Sequence, residues 1–302
     1  MVRQFLSFTQ IWIALGAFVT TCFSWLWAAD LFRLDHGDLL VAVWVSCSTG
    51  LGYTLQRAIK HTRHPHVMPT IRRTFWDRWK WTMVVGWVGL WIGINIAFVA
   101  DLGWDEPRRL SVAIGLGLAS LTYAFVPLMN GGLRKVPWLK IPLIAVVWAT
   151  ATTHHPEHGI DPILWAQRAL FIAGLTLPFD IRDIEIDRPH MTTIPMVTSA
   201  KRALNLSRNL IAAAGAISFL VWVCRCMQDG LKPHEAIPLA LSAQCLWAHW
   251  ILRPGRALAA LQGEESVREN FTGWRLDGVL AAPFLVIASA FLMLLLYSPC
   301  LF

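Results

Sequence analysis

Nine apolar stretches with few or no charges recur along the sequence, and most are close to the length that a helix needs to cross a bilayer. About 20 helical residues span the hydrocarbon core, where a central Asp, Lys or Arg costs roughly 2.5 to 3.5 kcal/mol. With 56% hydrophobic and only 15% charged residues, the chain has more apolar surface than one water-soluble core can bury. The sequence predicts an all-α, polytopic transmembrane bundle of about nine helices, forming a single integral membrane domain over residues 1–302. The approximate limits of the stretches are 8 to 29, 38 to 58, 82 to 100, 110 to 129, 138 to 153, 162 to 179, 206 to 227, 236 to 252 and 277 to 297.

The distribution of basic residues predicts the orientation of this bundle. If the amino terminus is cytoplasmic, 20 of the 26 Lys and Arg residues fall on the cytoplasmic side and 5 on the opposite side, which is a clear positive-inside bias. Membrane topology therefore explains the net charge of +7, and no nucleic-acid partner is expected. We expect an integral protein of a bacterial cell membrane, with its amino terminus and active-site loops in the cytoplasm. The two longest loops, about 57 to 81 and 180 to 205, lie on that side.

Three aspartates follow the sixth apolar stretch, at the point where it reaches the cytoplasmic surface. Asp180, Asp183 and Asp187 stand at positions i, i+3 and i+7, so on a continuous helix they share one face within an arc of roughly 60 degrees. Carboxylates this close repel one another unless a hard cation neutralises them, and Mg²⁺ prefers oxygen ligands while keeping substrate phosphates in its shell. A solvated helix end would also carry charges here, but three acids on one face suit solubility poorly. The pattern predicts a Mg²⁺ site formed by these three aspartates.

The basic residues around the aspartates are candidates for binding a diphosphate beside this metal. Arginine can bind phosphate through bidentate contacts, and lysine acts as a point charge. These residues are Arg182, Arg188, Lys201 and Arg202.

The aspartates belong to the pattern Asp180-x-x-Asp183-x-Glu185-x-Asp187-Arg188, which is followed by Thr192-Thr193-Ile194-Pro195. This segment resembles the second aspartate-rich motif of the UbiA superfamily of intramembrane prenyltransferases. Two positions depart from the family pattern, since Ile186 stands where glycine is common and His190-Met191 replaces a glycine-containing turn. The resemblance implies nine transmembrane helices with both acidic motifs of the family on the cytoplasmic side.

The family's first acidic motif, Asn/Asp-x-x-x-Asp at the end of the second span, is not matched. Gln56, Arg57 and Lys60 stand in its place, and no carboxylate appears until Asp77. The resemblance implies that these three residues occupy the family's first diphosphate site, where the charges of Arg57 and Lys60 can bind phosphate in place of one metal ion. The same departure is also expected in a relative that has lost transfer activity.

The resemblance implies metal-assisted ionisation of a prenyl diphosphate. Mg²⁺ on the aspartates would take up charge that develops on the leaving group, and the allylic cation would alkylate an aromatic or lipid acceptor. Asp183 and Asp187 are the implied catalytic residues. The alternative is a non-catalytic UbiA-like membrane protein that binds a prenyl lipid or a partner. A transporter would show internal repeats or helices interrupted near the midplane, and a CDP-alcohol phosphotransferase would show an Asp-Gly-x-x-Ala-Arg signature; the sequence shows neither.

One charged residue lies inside a predicted span. Arg168 stands about seven residues into the sixth stretch, next to Gln167, where a charge facing lipid is costly. We expect its side chain to face the bundle, either in a structural pair or as part of the lining of a substrate cavity.

Overall fold

The structure is a computed structural model that describes residues 2–28, 34–63, 65, 68–102, 138–155, 158–188, 192–229 and 235–285. Within these ranges the regular secondary structure is helical, apart from one isolated antiparallel bridge between His155 and Gly159. The helices are α1 (Val2–Phe8), α2 (Ile11–Ala28), α3 (His36–Arg63), α4 (Thr70–Leu102), α5 (Lys140–Thr153), α6 (Pro162–Arg182), α7 (Ile184–Asp187), α8 (Ile194–Thr198), α9 (Ala200–Asp229), α10 (Ala236–Ile251), α11 (Pro254–Leu261), α12 (Glu265–Asn270) and α13 (Asp277–Val279), with a π-helical turn (Phe271–Leu276) joining α12 to α13.

Four of the described helices, α3, α4, α6 and α9, are long and apolar enough to cross a membrane. A fifth candidate is the pair α1 and α2, which is bent by 71° next to Gln10, a residue with a φ of 66°. Helices α5 and α10 are apolar but shorter. The predicted polytopic helical membrane fold is thereby confirmed. The predicted span at 110 to 129 and most of the one at 277 to 297 lie outside the described residues, so the number nine stays a prediction.

The predicted loop from 57 to 81 is wrong, because the flanking helices continue through most of it. Helix α3 runs to Arg63 and α4 begins at Thr70. Hydropathy marks only the apolar centre of a helix, whereas polar turns outside the bilayer keep the same backbone hydrogen bonds. The predicted loop from 180 to 205 likewise contains α7, α8 and the start of α9. The basic residues between 57 and 63 therefore stand on a helix end, where their positions are fixed more firmly than on a loop.

Helices that are neighbours in the described chain pack against each other in the bundle. Helix α2 packs on α3, α3 on α4, α5 on α6, α6 on α9, and α9 on α10, while α13 returns to contact α2. The buried core joins these helices through Phe171, Leu204 and Ile211. Large apolar side chains such as Val85 and Ile96 are exposed on α4, as expected for a face that meets lipid rather than water.

A proline inside α6 explains one of the closest contacts between helices. Pro178 has no N–H, so the carbonyl of Gly174, four residues earlier, lacks its donor within the helix. The buried Ser207 hydroxyl of α9 donates to this oxygen at 2.6 Å. The approach is possible because residue 174 is glycine; a Cβ there would lie 2.9 Å from the Ser207 carbonyl oxygen and 2.6 Å from Ile211 Cγ1. Small residues commonly allow such contacts between membrane helices.

Replacing Ser207 with alanine is expected to destabilise the protein. The substitution leaves the Gly174 carbonyl buried without a donor, which costs about 1 to 3 kcal/mol. The measurement is the midpoint of thermal unfolding in detergent. Ser218→Ala is the matched control, because Ser218 is buried on the same helix but donates only to Ala214 of its own helix, at 3.3 Å. Equal midpoints for the two variants would contradict the role given to Ser207.

Arg168 is fully buried in the bundle, which confirms that its side chain faces inward. Its Nε donates to Ser24 Oγ at 3.0 Å and its NH1 group donates to Gln244 Oε1 at 3.4 Å. Gln244 in turn donates to the Val279 carbonyl at 2.7 Å. These contacts connect α6 to α2, α10 and α13. Arg168 lies about 18 Å along the helix from Asp180. In the described structure it therefore connects helices at a distance from the aspartates.

Candidate functional site

The aspartates stand at a break in the helix, so the predicted single helical face is wrong. Helix α6 ends at Arg182, and Asp183 has φ −95° and ψ 10° before α7 begins at Ile184. The backbone still makes hydrogen bonds through the break, since Asp183 N donates to Phe179 O at 3.0 Å and Asp187 N donates to Asp183 O at 2.8 Å. Across this break, Asp183 contacts a different cationic side chain from the one that Asp180 and Asp187 share.

Asp180 and Asp187 converge on the ammonium group of Lys140, the first residue of α5. The Lys140 Nζ lies 2.5 Å from Asp180 Oδ1 and 3.5 Å from Asp187 Oδ2. The side chain of Asp180 is 1% exposed, whereas that of Asp187 is 14% exposed. The structure thus brings two of the three predicted metal ligands to one point, and the ammonium group of Lys140 occupies that point.

Asp183 makes a different contact, with the guanidinium of its neighbour Arg182. Both carboxylate oxygens accept hydrogen bonds, Oδ1 from Nε and Oδ2 from NH2, each at 2.7 Å. Burial opposes ionisation of this carboxyl group, but the charge and hydrogen bonds of Arg182 outweigh it and hold the pKa of Asp183 well below its usual value. Asp183 is therefore a carboxylate whose oxygens are already satisfied, and it fixes the orientation of Arg182.

Arg182 also joins the aspartates to the segment that contains α12 and the π-helical turn. Its NH1 group donates to Thr272 Oγ1 at 3.0 Å and lies 3.8 Å from Glu269 Oε1. Glu269 makes a short ion pair with Arg72 of α4, and both side chains are buried. Burial alone would raise the pKa of Glu269, but the two arginines lower it below its usual value. This connected group of charges holds α4, α6 and the π-helical turn together at the polar end of the bundle.

Two of the predicted phosphate ligands on α3 face the same acids. Arg57 and Lys60 are half-buried. Arg57 is close enough to Asp183 to interact with it electrostatically, and Lys60 is close enough to interact with both Asp183 and Asp187. This pair and the aspartates therefore form one polar region, although 123 residues separate Lys60 from Asp183 in the sequence.

The other predicted phosphate ligands do not join this region. Each is exposed, and none of their side chains has a hydrogen bond or ion pair with another described residue. They are Gln56 on α3, Arg188 directly after Asp187, and Lys201 and Arg202 at the start of α9.

Sequence reasoning missed several members of the site. Lys140 could have been noticed as the only charged residue in the helix Lys140–Thr153. Glu269 and Arg72 carried no such signal, because each is one of several charges in a polar segment. Asp277, which interacts electrostatically with Arg182, Arg72 and Arg57, was equally hard to identify from its position at the start of an apolar stretch.

The donor set suits Mg²⁺ best in company with a phosphate ligand. Among the described residues, no group of three or more His, Cys, Asp or Glu side chains is arranged to hold a metal ion. Asp180 and Asp187 nevertheless supply two convergent carboxylates, and Mg²⁺ in proteins is commonly held by one or two carboxylates together with water and substrate phosphates. The residues present fit this second kind of site.

Solved structures share the architecture of this chain. A UbiA homologue from Archaeoglobus fulgidus bound to GPP and Mg²⁺ is 12% identical, with a TM-score of 0.60 over 94% of this chain and 99% of that chain. The same kind of homologue bound to DMAPP and Mg²⁺ is 13% identical, with a TM-score of 0.56 over 94% and 98% of the two chains. The apo UbiA homologue from Aeropyrum pernix K1 is 16% identical, with a TM-score of 0.55 over 92% and 98%.

These likenesses are structural, since no protein-family model and no curated protein sequence matches the chain. In each comparison the likeness extends over nearly the whole length of both chains. The aspartate motif led us to expect this architecture from about sixteen residues of sequence. The chain has the fold of the UbiA homologues.

Proposed function

We propose that this chain belongs to the UbiA superfamily, binds a prenyl diphosphate together with Mg²⁺, and transfers the prenyl group to an aromatic or lipid acceptor. The observation that carries the proposal is the convergence of Asp180 and Asp187 on one cation, beside the half-buried Arg57 and Lys60. This arrangement supports a cation site and a phosphate site that lie next to each other. Structures of the same fold bound to GPP or DMAPP with Mg²⁺ support the same ligand class.

The charges of the site explain why a diphosphate would bring a metal ion with it. The five acidic side chains of the region are matched by five basic ones, so the ionised site is formally neutral. A diphosphate is multiply charged, and burying it without further positive charge is unfavourable. Mg²⁺ would supply that charge. The acidic residues are Asp180, Asp183, Asp187, Glu269 and Asp277, and the basic ones are Arg57, Lys60, Arg72, Lys140 and Arg182.

The contacts lead to a proposed role for each group of residues. Asp180 and Asp187 would hold Mg²⁺, which when bound offsets charge that develops on the leaving diphosphate. Arg57 and Lys60 would bind the phosphate oxygens. Asp183 would act by holding Arg182 in a fixed orientation. The prenyl chain would lie among the apolar helices, where water is excluded.

We place this site on the cytoplasmic side of the membrane. The support is the positive-inside distribution of Lys and Arg, because α3, α6 and α9 all carry their basic ends at the same side as the aspartates. The acceptor would then reach the site from the lipid or from the aqueous face of the same leaflet.

Two observations favour the alternative, a non-catalytic protein that binds a prenyl lipid or a partner. All three aspartates already contact cationic side chains, and the first acidic motif of the family is replaced by Gln56, Arg57 and Lys60. Such a site could hold an anionic lipid by charge alone, with no ionisation of the diphosphate.

Binding of geranyl and farnesyl diphosphate to the protein in detergent distinguishes the two functions. We expect binding to depend on Mg²⁺ and to fall about tenfold or more in Asp180→Asn/Asp187→Asn, because two metal ligands lose their charge. Isothermal titration calorimetry with Mg²⁺ or with EDTA measures this. Glu185→Gln is the control, since Glu185 is an exposed acid on the same short helix.

Other outcomes have equally definite meanings. Binding that is independent of Mg²⁺ and unchanged in Asp180→Asn/Asp187→Asn, but is lost in Arg57→Met/Lys60→Met, would favour the non-catalytic protein. No binding of either diphosphate to a folded wild-type protein would overturn the transferase and favour the non-catalytic alternative.

A further inference from the structure

Lys140 occupies an unusual position for a lysine at the end of a membrane helix. It is the single charged residue of the helix Lys140–Thr153, and its ammonium does not extend into solvent. The side chain is only 20% exposed, and Nζ lies between Asp180 Oδ1 and Asp187 Oδ2. This is the point at which the proposed function requires a metal ion.

The charges show why some cation must stand there. Two carboxylates that approach one point repel each other, most strongly where one of them is buried. Asp180 is almost fully buried and has no other hydrogen-bond partner for its side chain among the described residues. The lysine ammonium relieves this repulsion, but it carries half the charge of Mg²⁺ and reaches the site on a flexible four-carbon chain.

We propose that Lys140 is a tethered cation that occupies the Mg²⁺ position between Asp180 and Asp187 while the substrate is absent. The ammonium keeps the substrate-free site neutral and competes with free Mg²⁺. A metal ion that arrives with a diphosphate displaces it, because the diphosphate contributes further oxygen ligands to the metal. The inference rests on the proposed function for the identity of the site, and it assigns to Lys140 the control of when the metal enters.

The direct test is metal binding to the substrate-free protein. Mn²⁺ can replace Mg²⁺ at oxygen ligands, and its free ion is measured by electron paramagnetic resonance. We expect Lys140→Met to bind one Mn²⁺ about tenfold or more tightly than wild type, because a competing positive charge beside the carboxylates is gone. Lys80→Met is the control, since the Lys80 ammonium donates to Thr62 Oγ1 at 3.3 Å and not to an acid.

A second comparison assigns any new binding to the correct carboxylates. Adding Asp187→Asn to Lys140→Met should abolish the gained Mn²⁺ site. Lys140→Gln serves if the methionine variant does not fold, because the amide can still donate to Asp180 while carrying no charge. Circular dichroism and size-exclusion chromatography report the folding of each variant.

The outcomes separate this inference from the proposed function. Equal Mn²⁺ affinity in wild type and both folded Lys140 variants, or a gained site that survives Asp187→Asn, would overturn the role of Lys140. Geranyl diphosphate binding with Mg²⁺ is measured on the same wild-type preparation and decides the proposed function independently. A wild type that binds the diphosphate, with Lys140 variants that gain no Mn²⁺ site, would leave the function standing and remove the inference.

Discussion

Asp187→Asn is expected to lower prenyl transfer by about 10²- to 10³-fold, the usual effect of removing one group that stabilises charge in a transition state. Asp187 is the better of the two predicted catalytic residues for this test. Asp183 holds Arg182 with two hydrogen bonds of 2.7 Å, so its loss would also disturb the structure. Among the described residues, the one ion pair of the Asp187 side chain is the longer contact of 3.5 Å with Lys140.

Transfer can be measured before the acceptor is identified. Membranes that contain the protein are supplied with a radiolabelled prenyl diphosphate, and label is counted in lipid products that have lost the diphosphate. Glu185→Gln removes the same charge two residues away and should retain activity. If the Asp187→Asn membranes matched wild type, the assignment of the aspartates to the reaction would be wrong.

Glu269→Gln is expected to destabilise the protein by about 3 to 5 kcal/mol, the usual cost of removing one partner of a buried ion pair. The substitution leaves Arg72 buried without its carboxylate and removes the nearby charge at 3.8 Å from Arg182 NH1. Unfolding in detergent, followed by circular dichroism, measures the effect. Glu264→Gln is the control, because Glu264 is exposed at the start of the same helix.

The double variant Arg72→Met/Glu269→Met separates the ion pair from the packing around it. It removes both charges, so no unpaired charge remains at that contact, and it should be more stable than Glu269→Gln. A double variant less stable than Glu269→Gln would show that the side-chain volumes, and not the charges, are what the site needs.

Acid should weaken the same contact in the wild-type protein. The pKa of Glu269 is lower in the folded state than in the unfolded chain, so its contribution is fully present above the unfolded pKa of about 4.3. That contribution is lost as the pH falls through the lower, folded value. The stability difference between wild type and Glu269→Gln should therefore shrink below about pH 4.

The helices could be predicted because a segment that meets lipid must be rich in apolar residues. A run such as Ala200–Asp229 must be apolar wherever it meets the bilayer, whatever it packs against. The predicted ends were less accurate, because the polar turns of α3 and α4 continue beyond the apolar core. The bend of 71° next to Gln10 was not predicted either, since nothing in the local hydropathy marks it.

Spacing alone could identify only those site residues that are close together in the chain. Asp180, Asp183 and Asp187 were found by their spacing, and the resemblance pointed to Arg57 and Lys60. The partners of the aspartates could not be found in this way. Lys140 is 40 residues from Asp180, and its contact depends on how α5 packs on α6, which no short pattern in the sequence encodes.

The ion pair between Arg72 and Glu269 also bears on how the protein is made. The two residues are 197 positions apart, and at roughly 5 to 20 residues per second a ribosome needs about 10 to 40 s to travel between them. During that interval Arg72 cannot form this ion pair, because Glu269 has not yet been synthesised. The polar region can therefore close only after Glu269 has been synthesised, so nascent chains truncated before Glu269 would insert their helices without a formed site.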